Sequence, residues 1–213
     1  MKKTMHGYNW QALLESAEAQ YNLGRMYAYG EGGKRDYIMA LAWYLKAAEQ
    51  GHAEAQFNLG MMYLNGRGVE ITAEAYRYHD APGVQQDETL ALAWYHKAAE
   101  QGHVCAQFEL GIHYAYSRGV TNDHQQAMTW YHKAAENGYA PAQFILGRKY
   151  RLGDGVMQDN QQALAWYQKA AEQGHTRAQR TVDRIYANGE ISSGQQTIYD
   201  SQMIKPKISR SRN

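Results

Sequence analysis

Residues Ala93–His103 read AWYHKAAEQGH, and Thr129–Tyr139 read TWYHKAAENGY, 36 positions later. The frame recurs as AWYLKAAEQGH from Ala42 and AWYQKAAEQGH from Ala165. Trp94, Trp130 and Trp166 are 36 residues apart, and Trp43 precedes Trp94 by that period plus 15 residues. The dipeptide AQ keeps the same beat at Ala19, Ala55, Ala106, Ala142 and Ala178, in steps of 36, 51, 36 and 36. A fixed period of this length marks a stacked repeat array. One copy carries a 15-residue insertion.

Each repeat holds two helical patterns. In the first, AEAQYNLGRMYAYG from Ala17, residues Ala19, Leu23 and Tyr27 lie four apart on one face. In the second, DYIMALAWYLKAAEQG from Asp36, residues Ala40, Trp43, Ala47 and Ala48 share a face. Asp36, Asp87, Asp123 and Asp159 each precede a tryptophan by seven residues and are the natural N-caps of the second helices. Gln126 and Gln162, three residues on, add a partial capping box. Gly51, Gly102, Gly138 and Gly174 follow the second helices, where a left-handed cap favours glycine.

Gly24, Gly60, Gly111 and Gly147 fall inside the first helices. A mid-helix glycine costs about 1 kcal/mol against alanine. Taking that cost at one register in four repeats requires a gain, which the sequence places in close approach of the second helix and its indole. On this reading Trp130→Ala costs on the order of 3–5 kcal/mol.

The pattern YxxGxGVxxDxxxAxxWYxKAAxxGxxxAQ resembles Sel-one-like repeats, relatives of the tetratricopeptide repeat. It is visible as YLNGRGV from Tyr63, YSRGVTNDHQQAMTWYHKAAENGYAPAQ from Tyr116 and YRLGDGVMQDNQQALAWYQKAAEQGHTRAQ from Tyr150. In the first repeat GEGGKRD, Gly30–Asp36, replaces the usual Gly-Val step. The resemblance implies an all-α, right-handed α/α superhelical solenoid that serves protein–protein interaction, often as an adaptor. It covers residues 17–190 as four repeats and a terminal half repeat, with the insertion at 70–84. Residues 1–16, with Trp10, Leu13 and Leu14, are expected to form a capping helix, and the polar, mildly basic 191–213 a disordered tail. The resemblance also reaches secreted, disulfide-laced members with antibiotic-hydrolysing activity, so the alternative reading is a hydrolase of β-lactam or cell-wall substrates.

Composition narrows the classes. Net charge is +1 and lysine and arginine are spread along the chain, so no nucleic-acid groove is expected. No run of about 18 apolar residues exists to span a membrane. The single cysteine, Cys105, makes no internal disulfide, and the N-terminal MKKTMHGYNWQ lacks the apolar stretch of a secretory signal. A cytoplasmic protein is expected.

Candidate chemical residues read as architecture. His96 and His132 share a register with Leu45 and Gln168, a register that imposes no ligand geometry, and are expected to be solvated surface histidines. His52, His103 and His175 follow the capping glycines, where Tyr139 stands in the remaining repeat, and read as ring plugs at the turns between repeats. Cys105 lacks an evident base and orienting group and reads as an inert thiol. GEGG from Gly30 and GDG from Gly153 lack the phosphate-loop pattern. No metal, cofactor or catalytic set is expected.

Positions fixed from repeat to repeat carry the fold, and positions that vary are free to specialise. On the first helices the variable set is Asn22, Arg25, Met26 and Tyr29; Asn58, Met61, Met62 and Asn65; Glu109, Ile112, His113 and Tyr116; and Ile145, Arg148, Lys149 and Leu152. Each group falls at i, i+3, i+4 and i+7, one helix face. The resemblance puts first helices on the inner, concave wall. Aromatic, Met and Arg residues are typical of interface cores, so this stripe is the expected binding surface for another protein or extended peptide. A surplus of basic groups on it points to a partner with acidic and apolar features. Tyr76, Arg77, Tyr78 and His79 are the contact residues expected of the insertion.

Overall fold

The computed structural model describes residues 16–66, 85–116 and 123–188. The expected capping helix, the insertion with Tyr76, Arg77, Tyr78 and His79, and the tail at 191–213 lie outside these residues. Among the described residues there are nine α-helices and no strand: α1 (Ala17–Tyr29), α2 (Tyr37–Glu49), α3 (Ala53–Asn65), α4 (Glu88–Glu100), α5 (Val104–Tyr116), α6 (His124–Glu136), α7 (Ala140–Leu152), α8 (Asn160–Glu172) and α9 (Thr176–Ala187). The fold class is an all-α helical repeat solenoid. The chain divides into two compact units, Met1–Asn137 and Gly138–Asn213. In the first, the pairs α1/α2, α3/α4 and α5/α6 form, and α2 packs on α3 and α4 on α5. In the second, α8 packs against both α7 and α9.

The ends of the helices follow the sequence signals. Carboxylate oxygens of Asp36, Asp87 and Asp123 accept from the backbone N–H of Met39, Leu90 and Gln126 at 3.0, 2.8 and 2.9 Å. Asp159 accepts from both Gln161 and Gln162 at 2.9 Å. Gln126 and Gln162 donate to the aspartate side chain itself, not to its backbone N–H as a full capping box would, at 2.9 and 3.1 Å. The hydrogen bond from the backbone of Gln126, joined by that from its side chain, holds the Asp123 carboxyl below the ordinary carboxylate range. Gly51, Gly102, Gly138 and Gly174 take φ of 87°, 86°, 85° and 82°, the left-handed geometry a side chain resists.

The interior glycines do mark close approach, but the partner is tyrosine and not tryptophan. A Cβ on Gly24, Gly60, Gly111 or Gly147 would sit 2.5, 2.5, 2.6 or 2.7 Å from the ring of Tyr44, Tyr95, Tyr131 or Tyr167. These four tyrosines are at most 1% exposed. The neighbouring indoles sit further out: Trp94 and Trp130 are just buried, and Trp43 and Trp166 are only half-buried. The ammonium groups of Lys46, Lys97, Lys133 and Lys169, one turn on, cover the indoles at 4.6, 4.1, 4.1 and 4.3 Å from the ring centroid.

A prediction separates propensity from packing at this notch. By propensity alone Gly60→Ala stabilises α3 by about 1 kcal/mol. The Tyr95 ring, locked in the core, cannot move away from the added methyl, so the variant is expected to lose about 1–3 kcal/mol instead. The urea midpoint gives the sign.

The AQ glutamines are a second periodic device. Gln20, Gln56, Gln107 and Gln143 are all buried. Gln56 and Gln107 donate to the carbonyls of Ala48 and Ala99 at the end of the preceding second helix, both at 3.0 Å. Gln20, Gln56, Gln107 and Gln143 in turn accept from Gln50, Gln101, Asn137 and Gln173 at 2.8, 2.7, 3.2 and 2.7 Å. Buried amides satisfied on both sides fix helix order without a cost in unpaired polar groups.

Candidate interaction surface

The variable face of the first helices divides into four registers by exposure. Asn22, Asn58, Glu109 and Ile145 are half-buried. Arg25, Met61 and Ile112 are half-buried, and Arg148 is exposed. Of the third register, Met26 and His113 are half-buried, but Met62 and Lys149 are buried, at 0% and 3% exposure. The fourth register, Tyr29, Asn65, Tyr116 and Leu152, is exposed throughout, with Tyr29 at 43% and both Tyr116 and Leu152 at 56%.

Two members of the expected stripe therefore lie out of a partner's reach. Met62 belongs to the core around Tyr44, Leu59 and Trp94. Lys149 is held by the carboxylate of Asp154 at 3.0 Å, a salt bridge tucked under the loop after α7. Met26 and His113, in the same register, stay half-buried, as Arg25, Met61 and Ile112 do. The register headed by Tyr29 is the one exposed in each of the four first helices.

Several of its polar groups are already engaged. Arg25 lies 3.9 Å from Glu31 and His113 Nδ1 lies 3.2 Å from Glu88. Asn22 donates to the Glu18 backbone carbonyl and carboxylate, both at 2.9 Å, and Asn65 donates to the Met61 carbonyl at 2.9 Å. The Tyr95 hydroxyl donates to the Met61 sulfur at 2.9 Å. Burial pushes the Glu109 carboxyl above its ordinary range.

The histidines depart from expectation in two ways. His96 is not a solvated surface group. It is half-buried, with Nε2 3.1 Å from the Tyr114 hydroxyl and its ring edge-on to Trp130 at 5.5 Å. His132 is half-buried as well. His52, His103 and His175 are ring plugs, stacked on Tyr21, Phe57 and Phe144 at 4.5, 4.5 and 4.7 Å. They are also N-caps, a role the sequence did not reveal. Nδ1 of each accepts from the backbone N–H of Ala55, Ala106 or Ala178, at 3.3, 3.1 and 3.2 Å. With Nδ1 accepting, Nε2 carries the proton, and in His52 and His103 it faces Glu18 and Glu54 at 3.0 and 3.2 Å. Tyr139 makes no such side-chain cap, and Pro141 stands in the first turn of its helix instead.

Burial pushes the imidazole of His96 below its usual value; His113 and Lys133 add to this, and Glu100 opposes it. Burial lowers His132 likewise. The folded state thus binds fewer protons than the unfolded chain near these groups. Their contribution to stability is present above the unfolded value of about 6.5 and is lost as pH falls through the folded value. Replacing both histidines by glutamine is expected to flatten the fall in urea midpoint between about pH 7.5 and 5.5, leaving the upper value nearly unchanged. Gln168 already fills this register, donating to the Tyr186 hydroxyl at 2.9 Å.

Residues 17–52, 53–78, 73–103, 106–139 and 140–175 match the family model described as the Sel1 repeat, the second and third matches overlapping inside the insertion. Among solved structures, a Sel1 repeat protein from Oxalobacter formigenes is 34% identical, with a TM-score of 0.70 and coverage of 83% of this chain and 64% of that one. A protective antigen present in uropathogenic Escherichia coli strains, displaying an SLR fold, is 36% identical, with a TM-score of 0.73 and coverage of 84% and 35%. The chain thus spans less than two-thirds of the length of either relative. No curated protein sequence matches it. The family match and these structures give the hydrolase alternative no support. No helix among the described residues is long and apolar enough to cross a membrane.

Proposed function

The chain belongs to the Sel1 repeat family, whose fold is typical of non-catalytic protein–protein interaction scaffolds, and on that premise we propose that it is an adaptor. It holds another protein, or an extended peptide of one, along the concave wall formed by its first helices. The observation that carries this reading is the exposure of Tyr29, Tyr116 and Leu152 at one register of the first helices, whereas the other exposed large apolar side chains, Ile38, Met39 and Met157, share no register. Rigid aromatic anchors at a position free to vary are what a docking surface needs. The lone thiol Cys105 fits a cytoplasmic setting.

Affinity capture from lysate with the wild-type chain and with Tyr29→Ala/Tyr116→Ala tests it. Both side chains are exposed, so helicity and melting temperature are expected to stay unchanged. Two aromatic anchors at about 2 kcal/mol each correspond to a loss of roughly a thousandfold in affinity. A partner retained in full by the double variant would place the interface elsewhere.

A further inference from the structure

Residues 138–213 carry eleven lysines and arginines against six acidic residues, whereas residues 1–137 carry eleven against fifteen. Basic residues are therefore in excess in the second unit and acidic residues in the first. In the second unit, Arg148 on α7 and Arg184 on α9 occupy the same register one period apart, and both are exposed. Their helices pack on α8. Burial raises the Tyr167 phenol of α8, while a hydrogen bond from Arg151 and the charges of Arg151, Arg148 and Arg184 act against that rise. Nearby acids are occupied: Asp154 with Lys149 at 3.0 Å, and Asp183 with Gln179 at 2.9 Å. Among the described residues no carboxylate pairs with Arg148 or Arg184. Leu152 stands exposed one turn beyond Arg148.

We propose that this face of α7 and α9 docks an acidic segment of the partner protein, whose carboxylates pair with Arg148 and Arg184 while an apolar side chain covers Leu152. The assignment rests on the adaptor reading and adds the chemistry of the bound segment. Guanidinium forks match carboxylates in two parallel hydrogen bonds. A nucleic acid fits less well, because its phosphates gain nothing from the exposed Leu152.

The test is fluorescence anisotropy of the full chain with a labelled peptide of alternating glutamate and leucine, its glutamine–leucine counterpart and an oligothymidylate. The glutamate peptide is expected to bind, to weaken with salt, and to lose at least about tenfold in affinity on Arg148→Glu/Arg184→Glu. The milder Arg148→Gln/Arg184→Gln loses less, and both variants keep wild-type helicity. Equal binding of the glutamine peptide, indifference to charge reversal, or tighter binding of the oligothymidylate each overturns the proposal. A partner lost from Tyr29→Ala/Tyr116→Ala but kept by Arg148→Glu/Arg184→Glu overturns the acidic segment alone. One kept by both variants overturns the adaptor surface as well.

Discussion

Tyr95→Ala is expected to lose about 3–5 kcal/mol of stability, the largest single-residue effect in the first unit. The ring is 1% exposed and lies in a cluster with Phe57, Ala98, Ala99, Ala106, Leu110 and Trp130. It fills the notch left by Gly60. Three of these six neighbours are alanines, which have no side chain to swing into a vacancy. The helices cannot close the gap easily either, because Gln56 is tied to Ala48 on one side and to Gln101 on the other. The cavity therefore persists, and its cost adds to the lost transfer free energy. Tyr95→Phe removes only the hydrogen bond to the Met61 sulfur and is expected to cost about 1 kcal/mol or less. Denaturant midpoints of the two variants separate ring from hydroxyl. Equal losses would mean that the hydroxyl, not the wedge, stabilises the pair.

Trp130→Ala comes next, at about 3 kcal/mol, the low end of the range expected from sequence. The indole is 8% exposed and belongs to the same cluster. Its outer side is covered by movable groups, the Lys133 ammonium at 4.1 Å and the His96 ring at 5.5 Å from its centroid. These can slide inward and recover part of the lost contact. The ordering Tyr95→Ala above Trp130→Ala is the test: the reverse would return the tryptophan to the glycine notch.

The two residues show where sequence reading reaches its limit. Trp and Tyr are adjacent and fixed in all four repeats, as at Trp94-Tyr95 and Trp130-Tyr131. Neighbouring positions differ by about 100° around a helix, and spacing alone does not say which one enters the notch. The caps were legible because aspartate and left-handed glycine each do one thing well at a helix end. His52 was not, because histidine is absent from the usual N-cap residues. Which residues of the variable face are exposed was half legible. Variation between repeats identifies positions released from the common core, but a residue can vary and still be buried by something peculiar to its own repeat. Met62 is covered by Trp94 and its neighbours. Lys149 is covered because Asp154, in the GDG loop five residues on, supplies its counter-charge. That loop aspartate was a signal in the sequence.

On the proposed function, the variable face of the first helices, and not the second helices, meets the partner. A photo-crosslinking residue placed at Tyr116, exposed on α5, and separately at Ala93, exposed on α4, compares the two directly. A crosslinked partner is expected from position 116 and none from position 93. A partner trapped from position 93 while position 116 stays silent would contradict the proposed function.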